Sequence, residues 1–335
     1  MIAELLAPAA TASAECHADW LELRALLAGD LNSSLSDLAR AIRSAGTIEA
    51  VIEQQMRDEG SSPDASWDWG EDFEEEISPA EFMERRDDLS EAVTDRASDE
   101  LDDRALACGD AYPFTRGPQH LQARRYAVRS VYVFLLLLST DGVRAGPPGL
   151  AATELFEDLA AVAAQSFFGR HEDVHVYHFG FPRRRTLRGF KPALDELCVR
   201  LGEGGSARSR PDQRHQKDAK LDLVTWRSFP DGRMGQLVAF GQCAAGADWT
   251  EKLSELQPRA FTGKWLTEPL GVEPTRMFFC PFRIEREGWE TKVIDGGLLF
   301  DRCRIAHHCA EVDDELLDGC ERFSAHVLEQ RRAHA

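Results

Sequence analysis

Two polar side chains stand where a pair of β-strands would not ordinarily take them. Asp222 and Gln242 lie in the stretch from Lys217 to Leu256, KDAKLDLVTWRSFPDGRMGQLVAFGQCAAGADWTEKLSEL. From Lys220 to Trp226 the chain alternates, which places Leu221 and Leu223 on one face and Asp222 and Val224 on the other. Pro230, Asp231 and Gly232 supply a turn. The return strand, Gln236 to Cys243, puts Val238, Phe240 and Gln242 on one face. A hairpin symmetric about Gly232 sets Trp226 opposite Val238, Val224 opposite Phe240 and Asp222 opposite Gln242, unless a bulge shifts the register. A carboxylate and an amide oxygen that meet across two strands are suited to a hard divalent cation, Mg²⁺ or Mn²⁺. The main-chain carbonyl of Cys243 would add a further oxygen. The Cys243 thiol is no nucleophile on this reading, because it falls on the face opposite Gln242.

A helix is expected after the hairpin, with Asp248 as N-cap and Trp249, Leu253 and Leu256 as its buried stripe. Glu251 and Glu255 fall on the solvent side. Lys252 lies about 60° from the centre of the stripe at 100° per residue, within reach of Asp222 and Gln242. A lysine there could orient or deprotonate a water and offset charge on a phosphate oxygen.

In these residues the chain resembles the PD-(D/E)XK nuclease superfamily, and within it the Mrr-type restriction endonuclease branch. Lys217-Asp218-Ala219-Lys220-Leu221-Asp222 is similar to that branch's Asp-Gly-Gly-Ile-Asp segment, without its two glycines. Gln242-Cys243 is similar to the start of its Gln-Cys-Lys, with Ala244 where the lysine belongs. Members of the superfamily can supply that lysine from a neighbouring helix, which assigns the role to Lys252. Phe156-Glu157 resembles the Phe-Glu of the branch's first helix, whose carboxylate approaches the metal site. The resemblance spans roughly Gly149 to Leu256, about a third of the chain, and rests on the order and spacing of short motifs. It implies catalysis by Asp222, Gln242, Lys252 and Glu157, with Asp222, Gln242, Cys243 and Glu157 at the metal. The expected fold is α/β: a helical N-terminal region, then a restriction-endonuclease-like core with a mixed central sheet flanked by helices.

Composition frames the elements that must hold this site. The 335 residues carry a formal net charge of −19 and 43% hydrophobic residues, enough for a sizeable core. The charge is uneven. Acidic residues crowd Asp58 to Asp110, whereas Lys and Arg are in excess from Arg183 to Arg233, so the net value says little about the site. No basic segment precedes a secretory-type apolar stretch. Val131 to Leu138, VYVFLLLL, is far shorter than the ~20 residues a bilayer requires and reads as a buried helix. Eight cysteines without paired spacing suit reduced thiols in a cytoplasmic protein, and the Cys303–Cys320 region lacks a Cys-x2-Cys pair for zinc.

In chain order, helices are expected within Ala14–Met56, and again from Ser34 and from Thr47. A polar, acidic connection follows over Glu59–Ser78. Ser78-Pro79-Ala80-Glu81 is a capping box opening a helix that runs to about Cys108. Another helix is expected over Gln119–Thr140. Gly146-Pro147-Pro148 marks the boundary between an acidic, helical region, 1–146, and the α/β core, 147–335. Within the core, Ala151–Phe168 reads as a helix with Phe156, Ala160, Ala163 and Phe167 inward and Asp158 outward. His175–Gly180 reads as a strand. Arg183–Arg188 is a basic turn suited to phosphates or to plain solvation. Lys191–Leu201 is a helix, and Gly202–Gln216 a polar linker. Arg276–Ile284 extends the sheet, a short strand or loop surrounds Val293, and Gly296–Ala310 and Asp313–Arg332 close the chain as helices.

The expected activity is metal-dependent hydrolysis of DNA phosphodiester bonds, with RNA left open, in the restriction or anti-phage setting that the resemblance implies. A homo-oligomer, or a protein partner docked on the acidic region, is compatible with the sequence; a membrane is not. Two other readings stand beside this one. The first is a nuclease-like module that binds nucleic acid or a protein without cutting, motivated by Ala244 and the acidic N-terminal half. The second is an α/β protein in which Asp222 and Gln242 simply satisfy one another.

Overall fold

The computed structural model describes residues 5–46, 48, 50–52, 54, 78–180, 189–211 and 216–334. The acidic connection up to residue 77 and the basic turn 183–188 lie outside the described residues, as does half of the segment 47–56. The chain forms two compact units. One takes the described residues up to Leu106, Phe114–Ala127 and the chain from Gln330; the other takes Ala107–Pro113 and Val128–Glu329. The division thus falls ahead of the helix Val131–Asp141, not after it at residue 146. The cause is packing: Val131 to Leu138 are all buried, and the helix lies against the helices Ala152–Phe168 and Arg302–His308.

In the first unit, Ser13 caps the helix Ala14–Leu27 by accepting the Cys16 N–H. Ser34 opens Leu35–Ser44 with a capping box to Asp37. A three-stranded antiparallel sheet joins them, ordered β1 (Asn32–Ser34), β3 (His120–Ala123), β2 (Phe114–Arg116). The helix expected from Gln119 is therefore a strand there. Gly117-Pro118 turns β2 onto β3, and the helix begins only at Val131, where the Ser130 side chain accepts the Val133 N–H. The long helix Pro79–Cys108 carries a fully buried Arg104.

The second unit is built on a mixed sheet in the order β4 (Val174–His178), β5 (Leu223–Arg227), β6 (Leu237–Cys243), β7 (Thr275–Phe279), β8 (Leu298–Phe300). β5 pairs antiparallel with both β4 and β6, and β7 and β8 add parallel to β6. The helix Ala152–Phe168 packs on β4, β5 and β6. Val224, Trp226, Val238 and Phe240 form a core with the helices Phe190–Leu201 and Pro258–Trp265, through Phe190, Leu194, Phe261 and Trp265. β8 and the helices Trp289–Gly296 and Arg302–His308 replace the loop and single helix expected there. Leu298 to Phe300 form an apolar run too short to distinguish strand from helix by periodicity. Gly297 (φ 75°) separates strand from helix, and Asp301 caps the next helix by accepting the Arg304 N–H. Among the described residues no helix is long and apolar enough to cross a membrane. All eight cysteines are free thiols.

The polar stretch after Gly202 is tied down by Glu203, which is 6% exposed. Its carboxylate accepts the N–H groups of Gly235 (2.7 Å), Gln236 (3.2 Å) and Gly271 (2.7 Å). Burial works to raise this carboxyl's pKa, but the donors from Gly271, Gln236 and Gly235 outweigh it and hold the value below the ordinary glutamate range. Its contribution to stability is therefore complete above that range and disappears as pH falls through the lowered value. Glu203→Gln should cost about 1–3 kcal/mol at neutral pH, and urea titrations should show the difference closing in acid. An equal cost at both pH values would deny the carboxylate this role.

Candidate functional site

The hairpin takes the register expected for its backbone: Leu223 pairs with Gly241, Val224 with Phe240 and Trp226 with Val238. Asp222 continues the ladder, its N–H donating to the Gly241 carbonyl at 2.9 Å. Its own carbonyl accepts the N–H groups of Phe179 (2.7 Å) and Gly180 (2.8 Å) at the end of β4. Ahead of it, Ala219 (φ 55°) and Lys220 (φ 69°) both lie in the left-handed region, which costs a non-glycine residue roughly 1–2 kcal/mol. Asp218 braces the turn: its Oδ1 accepts the Lys220 N–H at 2.9 Å, and its carbonyl accepts the Leu221 N–H at 3.2 Å. The turn breaks the alternation. Leu221 packs with Val224 and Trp226, on the face expected for Asp222, rather than sharing a face with Leu223.

The consequence appears in the side chains. The Asp222 Oδ2 accepts the Cys243 N–H at 2.7 Å, while Oδ1 faces Gly180. A Cβ at Gly180 would stand 3.2 Å from Asp222 Oδ1 and 3.4 Å from Glu157 Oε2, so both carboxylates converge on one point that only glycine leaves open. Burial pushes the Asp222 carboxyl up to about 7; Asp218 adds to the rise, while the Cys243 N–H and Lys220 oppose it. Burial, and then the charges of Asp222 and Glu157, hold the Cys243 thiol well above its ordinary value, so it is a neutral neighbour.

Gln242 is opposite Asp222 in register, but its contacts lead elsewhere. Its Nε2 donates to Glu255 Oε2 at 2.9 Å, and the other oxygen of Glu255 takes Lys220 Nζ at 2.9 Å. Glu255 was expected on the solvent side. The helix holds only from Trp249 to Lys252, and the turn after it brings Glu255 back toward the sheet. Gln242 is 4% exposed, and its Oε1 is buried without a hydrogen-bond partner. An oxygen left so costs about 1–3 kcal/mol.

Lys252 bonds Asp248 Oδ1 at 2.9 Å, which also takes Asp248 away from capping. The lysine whose charge acts on Asp222 is Lys220. Ala244 is 3% exposed and packs with Trp249, Leu253 and Phe278, so a lysine at this position would enter an apolar cluster. On the Ala152–Phe168 helix, Asp158 turns inward where an outward position was expected, and Phe167 is 47% exposed. Asp158 Oδ1 lies 3.8 Å from His178 Nδ1, and both line a cavity of about 210 Å³ with Gln165 and Asp313.

Gly180 and Glu255 are thus the site's unforeseen members. The Phe-Gly following an alternating strand was the available signal for Gly180, since an isolated glycine at a strand end marks a close approach. Among the described residues no three His, Cys, Asp or Glu side chains cluster as metal ligands. Two carboxylates converging on an open point nevertheless suit Mg²⁺, which keeps several waters and needs one or two carboxylates. No known protein family, curated protein or solved structure matches the chain.

Proposed function

We propose that the second unit is a Mg²⁺- or Mn²⁺-dependent phosphodiesterase acting on DNA, with a restriction-endonuclease-like core of the PD-(D/E)XK kind. The observation that carries the reading is the convergence of Glu157 and Asp222 on the Gly180 opening. Supporting it, Ala219 and Lys220 adopt left-handed backbone at the two positions where the resembled segment has glycines. The mixed sheet, with Asp222 and Gln242 on its antiparallel arm, supports the same assignment.

Glu157 and Asp222 would hold the cation, with the bare Gln242 Oε1 as a neutral oxygen nearby in sequence and strand. A bound divalent ion supplies acidification of a water and withdrawal of charge from a phosphate. Asp222 must be ionised to serve, and a bound cation would oppose the burial that raises its pKa. Cys243 positions Asp222 through its N–H and contributes no charge. Lys220, half-exposed and held at its Nζ by Glu255, is the cation best placed to meet a phosphate beside Asp222.

The test is cleavage of linear and supercoiled DNA in Mg²⁺ or Mn²⁺ by the full chain. Asp222→Ala and Glu157→Ala should lose at least 100-fold in rate, on the order expected for removing a charged group from the reacting centre. Lys220→Ala should lose far more than Lys252→Ala. Equal rates in the Asp222→Ala and unaltered proteins would overturn the assignment. A second reading, a nucleic-acid-binding module without cleavage, is favoured by the burial of Ala244 and the pairing of Lys252 with Asp248. It predicts metal-independent DNA binding and no hydrolysis.

A further inference from the structure

The first unit contains an open cavity of about 440 Å³, within the size range of small-molecule sites. Three elements wall it. The segment Leu5–Ala7 forms one side, fixed by the Trp20 Nε1–H, which donates to the Leu5 carbonyl at 3.2 Å. The helix Ala14–Leu27 presents Trp20 and Arg24, and the helix Leu35–Ser44 presents Asp37, Arg40 and Ala41.

The polar groups are unequally satisfied. Asp37 already accepts from the Ser34 N–H (3.1 Å), the Ser34 hydroxyl (2.8 Å) and Arg40 (3.3 Å), and pairs with Arg24 Nη2 at 3.1 Å. Arg24, by contrast, keeps its Nε buried with no acceptor, while its guanidinium carbon sits 5.8 Å from the centre of the Trp20 ring. A buried N–H without an acceptor is costly, and a ligand oxygen reaches it only if the Arg24 side chain turns toward the cavity. Two guanidinium groups against one carboxylate leave the cavity with one net positive charge, in a chain whose formal net charge is −19.

We propose that this cavity binds a small amphipathic monoanion. Its carboxylate or sulfonate head would meet Arg24 and Arg40, and an apolar body would lie along Leu6, Ala41 and the exposed edge of Trp20. Arginine suits this role because its planar fork pairs with a two-oxygen head while stacking on an aromatic face. A single net charge also disfavours a dianion beside Asp37. The site is independent of the phosphodiesterase assignment.

Isothermal titration of the full chain with 2-naphthalenesulfonate, against neutral 2-naphthol of the same ring, tests the proposal. The sulfonate should bind at least roughly tenfold more tightly. Arg24→Gln should weaken it by a similar factor and remove the preference over the naphthol. Ala41→Trp, on the half-buried wall of the cavity, should exclude both ligands while leaving the circular dichroism spectrum unchanged. Absence of sulfonate binding at millimolar concentration, equal affinity for the two probes, or binding unaffected by Arg24→Gln and Ala41→Trp would each overturn it.

Discussion

Asp222→Asn should yield a protein that is inactive and, at pH 8, more stable than the unaltered chain. The carboxyl's pKa is raised from 3.8 to about 7 in the folded state, chiefly by burial. A raised carboxyl binds its proton more tightly when folded. The folded state therefore loses ground as pH climbs from about 4 to above 7, where the unfolded chain is already ionised. Asparagine retains an acceptor for the Cys243 N–H and never ionises. Three pKa units set a ceiling of about 4 kcal/mol; the residue's partial exposure reduces the expected gain to about 1–3 kcal/mol. Urea unfolding at pH 5 and pH 8 should show a gain at pH 8 that shrinks in acid. A variant less stable at pH 8 would mean the carboxylate supports the fold in its charged form.

Arg104→Met should cost the first unit about 3–5 kcal/mol, the usual penalty for removing one member of a buried ionic cluster. The guanidinium is fully buried; it donates to Glu100 Oε1 (2.7 Å), Asp19 Oδ1 (2.7 Å), Glu22 Oε2 (2.8 Å) and the Glu15 carbonyl (2.9 Å). Methionine would fill the space but strand three acids around it, two of them almost wholly buried. Adding Glu22→Gln and Glu100→Gln should recover much of the loss. Chemical denaturation that finds Arg104→Met within about 1 kcal/mol of the unaltered protein, close to the spread of neutral substitutions, would show that water reaches the cluster.

Strands β4 to β7 and the hairpin register were legible because alternation and a Pro-Asp-Gly turn specify them locally. Glu157 was found by its neighbour Phe156, and its approach to Asp222 then depended on which way Asp222 faced. That facing was not legible. It depends on Ala219 and Lys220 adopting a backbone that their residue types disfavour, and on the Asp218 carboxylate that braces them. Glu255 was misplaced for a related reason. Helical spacing was extended past Lys252, whereas the chain leaves the helix there and turns Glu255 toward Gln242 and Lys220. β8 escaped because three apolar residues carry no periodicity.

The two oxygens of Glu255 hold Lys220 and Gln242 at once. The positions of an exposed ammonium and a buried amide are therefore not independent variables. On the proposed reading, a polyanion that draws Lys220 outward would free one oxygen of Glu255, and the carboxylate could then shift its hold on the Gln242 amide N–H or release it. The arrival of a DNA strand at Lys220 would in this way be communicated to the Gln242 amide beneath it, across the single side chain of Glu255.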